Sequence, residues 1–376
     1  MPGFEIIDHK EKKELNKIFN NGGVLFAHGF EKIRKFFYVR EFEKAFGIKF
    51  KSKYNLAVSS GTAAIKIGLK ALGVKRGDEV ITQSFNFIAT IEAILDIGAI
   101  PRIVNVDKSL NMDPKEIKPL INKKTKVILP VHMLGVSAEI KKIIQIAKKY
   151  KIKVLEDNCE SIGAKFSKKY LGTLADIGVF SFDFGKTITT GEGGMIATNN
   201  KKLDKYSREY HDHGHENNSR LPRGRDTKTI FGFNYRMTEM QAAVGKVQLK
   251  KLTFILKNNK SRFISLKNNI SKSFDIRQEP KNSISSYDTF IFFEKNKIIR
   301  KKIINFLKKS GFGTKNLPDA IEWHCSAYWD HALPAKEIKK SFKTKEILKN
   351  AIAIPIWLRK TTKDYEILGK KLKNFK

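Results

Sequence analysis

From about residue 55 onward, short apolar segments typical of strands alternate with segments typical of helices. This alternation predicts a mostly parallel sheet with helices on both faces. The predicted elements are a helix over 63–72, a strand over 79–82, a helix over 89–95, a strand over 100–106, a helix over 115–121, a strand over 126–131, a helix over 138–149, and strands over 153–155, 178–182 and 194–198. We therefore predict an α/β fold in which ligands bind beyond the carboxyl ends of the strands.

The alternation weakens after a long helical segment over about 238–257. Segments 286–293 and 300–310 then suggest a smaller α+β domain. A chain of 376 residues is too long for one ordinary core and suits two domains. We predict a large domain over 1–255, including an N-terminal arm, and a small C-terminal domain over 256–376.

The formal net charge of +35 raises the alternative of a basic nucleic-acid binder. The excess lysines are spread along the chain, however, and form no arginine-rich block with interleaved aromatic residues. Such a diffuse charge favours anionic small substrates instead. The sequence has no apolar segment of membrane-spanning length and no secretory signal pattern, and its two cysteines predict no disulfide framework. We expect a cytoplasmic protein that binds neither nucleic acid nor membrane.

Lys186 lies among small and hydroxyl-bearing residues between two strand segments, and Asp157 follows an earlier strand. A lysine and an acid at strand ends suit an enzyme that uses pyridoxal 5′-phosphate (PLP). The lysine amine bonds to the cofactor's aldehyde, and the acid pairs with its pyridinium nitrogen. By itself, an aspartate after a strand is more often a turn residue or a cap, and Asp157 gains weight only from its pairing with Lys186.

Gly61 and Thr62 begin a predicted helix after Ser60. The N-terminus of a helix offers free N–H groups to a phosphate, although Ser60 or Thr62 could also act as a simple helix cap. Two other glycine patterns fail. A P-loop would need glycine where Phe180 stands, and the dinucleotide fingerprint would need glycine in place of Ile196.

Three alternate histidines, His211, His213 and His215, make a metal site conceivable. No cysteine or glutamate cluster of metal-ligand spacing accompanies them, and we favour a polar loop without metal. His324 belongs to an aromatic-rich patch that suits either core packing or a lid over a sugar-like ligand.

Several of these segments together resemble the DegT/DnrJ/EryC1/StrS family of sugar aminotransferases. The matching segments, in family order over about 40–250, are 59–64 (SSGTAA), 77–80 (GDEV), 84–90 (SFNFIAT), 130–132 (PVH), 156–157 (ED), 180–182 (FSF), Lys186, 191–194 (GEGG) and 234–237 (NYRM). The resemblance implies a PLP-dependent transferase of fold type I, with a large domain, a smaller C-terminal α+β domain, and a homodimer with shared sites.

The resemblance also implies a role for each matched residue. Lys186 would hold PLP covalently and move protons, and Asp157 would keep the ring nitrogen protonated. Phe87 would stack on the ring. Gly61, Thr62 and Ser181 would bind the phosphate, and Asn234 would reach it from the partner chain. Glu160 stands where the family usually has glutamine beside the ring hydroxyl, so a carboxylate here must alter the proton balance.

Short segments over 1–5 (MPGFE), 212–215 (DHGH) and 323–324 (WH) resemble those members that aminate an 8-oxo precursor to give 8-amino-Kdo, a lipopolysaccharide sugar. We therefore expect L-glutamate as the amino donor and an anionic sugar as the acceptor, with His213, His215 and His324 near it. Within the family, the alternative acceptor is a nucleotide-linked 4-keto-6-deoxy sugar. A PLP-binding regulator without catalysis is the alternative outside the enzyme class.

Overall fold

The computed structural model describes residues 2–218 and 220–375. We number its strands and helices in chain order. The helices are α1 (Pro2–Glu5), α2 (His9–Phe19), α3 (Tyr38–Phe50), α4 (Gly61–Ala71), α5 (Ala89–Asp96), α6 (Ile140–Lys149), α7 (Lys201–Tyr210), α8 (Glu239–Ile270), α9 (Lys297–Lys309), α10 (Ile321–His324), α11 (Ala335–Lys340), α12 (Phe342–Lys349) and α13 (Thr362–Lys373). The strands are β1 (Tyr54–Val58), β2 (Glu79–Gln83), β3 (Ile100–Val104), β4 (Thr125–Leu129), β5 (Lys153–Asp157), β6 (Lys165–Phe166), β7 (Lys169–Tyr170), β8 (Ile177–Ser181), β9 (Gly194–Thr198), β10 (Asp275–Ile276), β11 (Ser283–Ile284), β12 (Thr289–Phe293) and β13 (Ala351–Pro355).

A seven-stranded sheet in the order β1-β9-β8-β5-β4-β2-β3 forms the centre of the large domain. The pairs from β8 to β3 are parallel, whereas β9 runs antiparallel to both β8 and β1. Strands β2, β8 and β9 are buried along their whole length. Strands covered on both faces tend to read as continuous apolar runs, and this pattern is clear in β8 (IGVFS) and β9 (GMIAT) but not in β2 (EVITQ). The predicted α/β fold with a mostly parallel sheet is confirmed.

Helices cover both faces of this sheet and align the strand ends that form the site. Helices α4 and α5 pack in one apolar cluster, and α6 packs in another. A third cluster joins α3 to the first half of α8 through aromatic side chains such as Phe46 and Phe180. The carboxyl ends of β5 and β8 are therefore held in a rigid frame.

Helix α8 extends well beyond the predicted segment 238–257 and contacts two different cores. Leu252 and Ile255 pack against the large domain, whereas Phe263 and Leu266 pack in the C-terminal cluster around β12, β13, α9 and α13. The C-terminal part contains the three-stranded sheet β10-β12-β13, which agrees with an α+β arrangement. The predicted boundary after residue 255 lies within this continuous helix and stays a prediction.

The helix predicted over 115–121 is wrong. The segment forms two short 3-10 turns, Pro114–Glu116 and Lys118–Leu120. Proline at position 119 lacks the N–H that a continuing helix needs, and proline at position 114 suits only the first turn. Among the described residues, no helix is both long and apolar enough to cross a membrane.

Phe46 allows a test of the aromatic cluster that anchors α3 to the sheet. Its ring is fully buried and stacks on Phe50 with centroids 4.2 Å apart. We expect Phe46→Ala to lower the free energy of unfolding by ~3–5 kcal/mol, as for other buried aromatic deletions. Ile48 on the same helix is 72% exposed. Ile48→Ala is the control and should change stability by less than ~0.5 kcal/mol in chemical denaturation.

Candidate active site

A cavity of about 440 Å³ lies at the carboxyl ends of the sheet strands. It contains most of the residues singled out from the sequence. Those that line it are Gly61, Thr62, Phe87, Asp157, Glu160, Ser181, Lys186 and His324. Strands β1, β2, β5 and β8 all deliver their following residues to this one edge, as expected for an open α/β sheet.

Asp157 ends β5, and its carboxylate is buried at the floor of the cavity, with 3% of the residue exposed. The backbone N–H of Cys159 donates to Oδ1 at 3.0 Å, and the hydroxyl of Thr90 donates to Oδ2 at 3.2 Å. Both donors are neutral. Burial therefore raises the pKa of Asp157, and these hydrogen bonds together with Lys186 offset the effect only in part. A carboxylate in this state is suited to a cationic N–H from a ligand.

Lys186 and Glu160 form an ion pair across the cavity, in which the lysine Nζ donates to Glu160 Oε1. Burial would raise the pKa of Glu160, but the ammonium groups of Lys186 and Lys315 outweigh it and lower the pKa to about 2. For Lys186, burial would lower the pKa of the amine, but the Glu160 carboxylate raises it above its usual value. Lys186 is thus held as an ammonium ion while Glu160 is its partner.

The N-terminus of α4 forms another part of the cavity wall. Ser60 caps the helix, because its hydroxyl accepts the N–H of Ala63 at 3.1 Å. This leaves the first N–H groups, at Gly61 and Thr62, without intrahelical acceptors. A Cβ at position 61 would lie 2.8 Å from Ser181 Cβ, so only glycine lets the helix end approach β8 this closely. Ser60 is therefore the helix cap, whereas phosphate binding by Gly61 and Thr62 stays a prediction that their free N–H groups allow.

His324 lies against Phe87 at the rim. Their ring centroids are 5.4 Å apart, and the N–H of Asn86 donates to the His324 carbonyl at 3.1 Å. The imidazole Nδ1 is 2.8 Å from the carbonyl oxygen of Ala320, and burial lowers the pKa of the ring. The C-terminal part of the chain thus contacts the loop that carries Phe87.

Helix α1 supports the loop of Lys186 from outside. The N–H of Gly3 donates to the Lys186 carbonyl at 3.3 Å, and Phe4 stacks on Phe184 with centroids 4.8 Å apart. The Glu5 carboxylate accepts the N–H groups of Leu358 and Arg359. This arm therefore links the lysine loop to the C-terminal part of the chain.

Three predicted residues do not line this cavity. Asn234 is exposed, and so is His213. His215 instead contacts Asp226, with Nδ1 to Oδ2 at 3.1 Å. Within residues 2–218 and 220–375, no cluster of three or more histidine, cysteine, aspartate or glutamate side chains is arranged to hold a metal ion. The histidine loop of a single chain is thus separate from the cavity.

Several lining residues received no role from the sequence, and two of them contact the charged groups of the site. Thr90, in the first turn of α5, contacts Asp157, and its place in the matched segment 84–90 was a usable signal. Lys315 comes from the C-terminal part and is buried beside Glu160. Nothing local distinguishes Lys315 in so lysine-rich a chain.

These features fit PLP. The N-terminus of α4 suits its phosphate, Asp157 suits its pyridinium nitrogen, and the Lys186 amine can reach an aldehyde in the same cavity. Oε2 of Glu160 is buried without a hydrogen-bond partner in the described part of the chain, which leaves one acceptor to be satisfied by a ligand.

Comparison with known proteins places the chain in a family. The model of the DegT/DnrJ/EryC1/StrS aminotransferase family matches residues 9–373. GDP-perosamine synthase of Escherichia coli O157:H7 is 37% identical over 251 residues, which are 66% of this chain and 68% of that protein. The chain belongs to this family and is a PLP-dependent sugar aminotransferase, which confirms the predicted family, class of enzyme and cofactor.

Solved structures agree with this assignment. The aminotransferase from Psychrobacter cryohalolentis superposes with a TM-score of 0.86 at 25% identity, over 98% of this chain and 96% of that one. A GDP-4-keto-6-deoxymannose-3-dehydratase in which PLP is trapped with glutamate gives a TM-score of 0.78 at 25% identity, over 98% of both chains. The predicted fold type I is thereby confirmed.

Gly61→Ala tests the close approach of α4 to β8. The added methyl group would press on Ser181 and displace the helix end. We expect PLP affinity to fall at least about tenfold, since one lost hydrogen bond to a charged group costs ~1.5–3 kcal/mol. Fluorescence titration of the cofactor-free protein measures this. Gly224→Ala, where the added Cβ would meet nothing within 4 Å, should leave the affinity unchanged.

Proposed function

We propose that this enzyme transfers the amino group of L-glutamate to the keto carbon of a nucleotide-linked 4-keto-6-deoxy sugar. The similarity to GDP-perosamine synthase supports this acceptor, and the dehydratase that holds PLP with glutamate supports the donor. The acceptor first expected from the short segments, the 8-oxo precursor of 8-amino-Kdo, has weaker support. Neither relative named here acts on that precursor, and of the three histidines expected near it only His324 lines the cavity of its own chain.

PLP, when bound, supplies an aldehyde that carries the amino group and a ring that accepts electrons from the reacting carbon. We assign the supporting tasks to the residues described above. Lys186 bonds to the cofactor and, once released, moves a proton at the carbon that gains or loses nitrogen. Asp157 keeps the ring nitrogen protonated, since an anionic acceptor here stabilises the N–H cation.

Phosphate and ring contacts complete this assignment. Gly61, Thr62 and Ser181 hold the phosphate at the positive end of α4. Phe87 would cover one face of the ring, and Glu160 would stand beside its hydroxyl group.

A second copy of the chain would complete each site. Asn234 is exposed and lies beside two exposed aromatic side chains, Phe231 at 72% and Phe233 at 43%. Exposed aromatic residues of this kind suit a protein interface. We propose a homodimer in which Asn234 of one chain contacts the phosphate bound by the other.

The acceptor can be tested by loading the enzyme with glutamate to its amino form and then removing the glutamate. We expect GDP-4-keto-6-deoxymannose to return the cofactor absorbance to the aldehyde form and to yield an aminated sugar by mass spectrometry. The 8-oxo precursor of 8-amino-Kdo, offered at the same concentration, should react much more slowly. Faster reaction of the octulosonate would overturn the proposed acceptor but leave the enzyme class intact.

The shared site can be tested by mixing two variants, each of which lacks one residue of the site, at a PLP concentration too low to saturate Asn234→Ala. Lys186→Ala should abolish turnover while the cofactor still binds without a covalent bond, and Asn234→Ala should weaken phosphate binding. In a dimer of one chain of each kind, one site has both native residues. Random re-pairing should therefore restore roughly one quarter of native activity.

One control shows that the recovered activity needs Lys186. A variant that carries both substitutions in one chain should restore nothing when it is mixed with Lys186→Ala, because no chain then supplies Lys186. Failure of the first mixture to recover any activity, although exchange of chains is confirmed by mass, would contradict a site shared through Asn234.

A further inference from the structure

Glu160 lies between two lysines rather than one. Its Oε1 accepts from Lys186, and its Oε2 is 4.0 Å from Nζ of Lys315. Both Glu160 and Lys315 are buried, with side chains 7% and 8% exposed. Oε2 has no hydrogen-bond partner among the described residues, so Lys315 is close enough to attract the carboxylate but does not yet bond to it.

A closed set of contacts fixes Lys315 in this position. Nζ of Lys315 is 2.8 Å from Oδ2 of Asp288, and the hydroxyl of Ser286 donates to Oδ1 of the same aspartate at 3.2 Å. The N–H of Ser286 donates to the carbonyl of Gly135 at 3.0 Å, and the N–H of Gly135 donates to the carbonyl of Glu160 at 2.9 Å. The two charged groups are therefore held on a common frame.

The geometry points to Lys315 as a positioning residue that shares the Glu160 carboxylate with Lys186 and thereby releases the Lys186 amine to the cofactor. This inference rests on the role proposed above for Lys186. The Lys186 nitrogen must first lose a proton to solvent. Its lone pair can then bond to an aldehyde carbon, whose oxygen leaves as water. A carboxylate paired with Lys186 alone holds that proton, whereas a second cation on the same carboxylate weakens the hold.

Other charged or titratable groups also face this pair. Those around Lys186 are Glu160, Asp157, Cys159, Asp183 and His324, and those around Glu160 are Lys186, Lys315, Cys159 and His324. Burial keeps His324 neutral and raises the pKa of Cys159, so neither adds a charge at neutral pH. Asp157 and Asp183 are not changed by the variants below and act equally on each.

The test measures how readily Lys186 reacts with an amine-selective acylating reagent in the cofactor-free full chain, as a function of pH. Mass spectrometry of the peptide that contains Lys186 gives the midpoint. Lys315→Met should raise this midpoint by about one pH unit, because Lys315 no longer competes with Lys186 for the Glu160 carboxylate. Asp288→Asn should lower it, because Lys315 is then free to turn fully to Glu160. Glu160→Gln should lower it as well and should remove most of the effect of either change.

Opposite signs for Lys315→Met and Asp288→Asn separate this role from general damage, which would move both midpoints the same way. Lys315→Arg should stay near the native midpoint. Lys308→Met, which removes an exposed lysine paired with Asp319 in the same part of the chain, should have no effect. Thermal unfolding checks that each variant is folded. If Lys315→Met does not fold, the same comparison is made with Asp288→Asn, alone and combined with Glu160→Gln.

Equal shifts of the Lys315→Met midpoint in the native and Glu160→Gln backgrounds, or no shift at all, would overturn the inference. The proposed function is checked separately. Borohydride reduction of the native enzyme should leave PLP on the Lys186 peptide, and its attachment elsewhere would contradict that function whatever the midpoints are.

Discussion

The Glu160 carboxylate between Lys186 and Lys315 is the interaction on which the rest of the site depends. Charged groups at this depth are costly unless they are paired, and removing one partner of a buried pair typically costs ~3–5 kcal/mol. The chain meets this requirement by bringing Glu160 from the loop after β5, Lys186 from the loop after β8, and Lys315 from the C-terminal part. The pairing therefore fixes three distant segments relative to each other, and all three line the cavity.

A good part of this arrangement could be predicted from the sequence. Strands such as β8 and β9 were visible because they are buried on both faces and read as apolar runs, and Asp157 and Lys186 stood after such strands. Gly61 was marked instead by the start of a helix, and the strand before it, β1, was not predicted. The segment over 115–121 was misread because its apolar spacing resembled a helix, although Pro119 prevents one. Lys315 was missed because its partners, Glu160 and Asp288, are far from it in sequence and meet it only through the fold.

Asn234, His213 and His215 illustrate a different limit. Their sequence context marked these residues as polar and conspicuous. The sequence of one chain does not show, however, whether they contribute to the cavity of that chain or to the cavity of a partner chain. In the single chain the Asp212 carboxylate near them is already satisfied by Arg223 and Arg236, and these partners lower its pKa. The loop is thus internally ordered and presents Asn234 and the aromatic side chains outward.

The net charge of +35 attracts anionic ligands from a distance, whereas the groups that line the cavity act on a ligand only after it has arrived. The cavity itself is lined by acids as well as lysines, namely Asp157, Glu160, Asp183, Glu192, Lys186 and Lys315. Its two ammonium groups are already engaged by carboxylates, so they are poorly placed to attract the phosphate of the cofactor. That attraction comes from the diffuse surface charge during approach and from the N–H groups at the start of α4 on arrival. Glu160 therefore does not prevent this chain from binding anionic ligands. The surface lysines and the N–H groups of α4 attract those ligands, and Glu160 does not neutralise either of them.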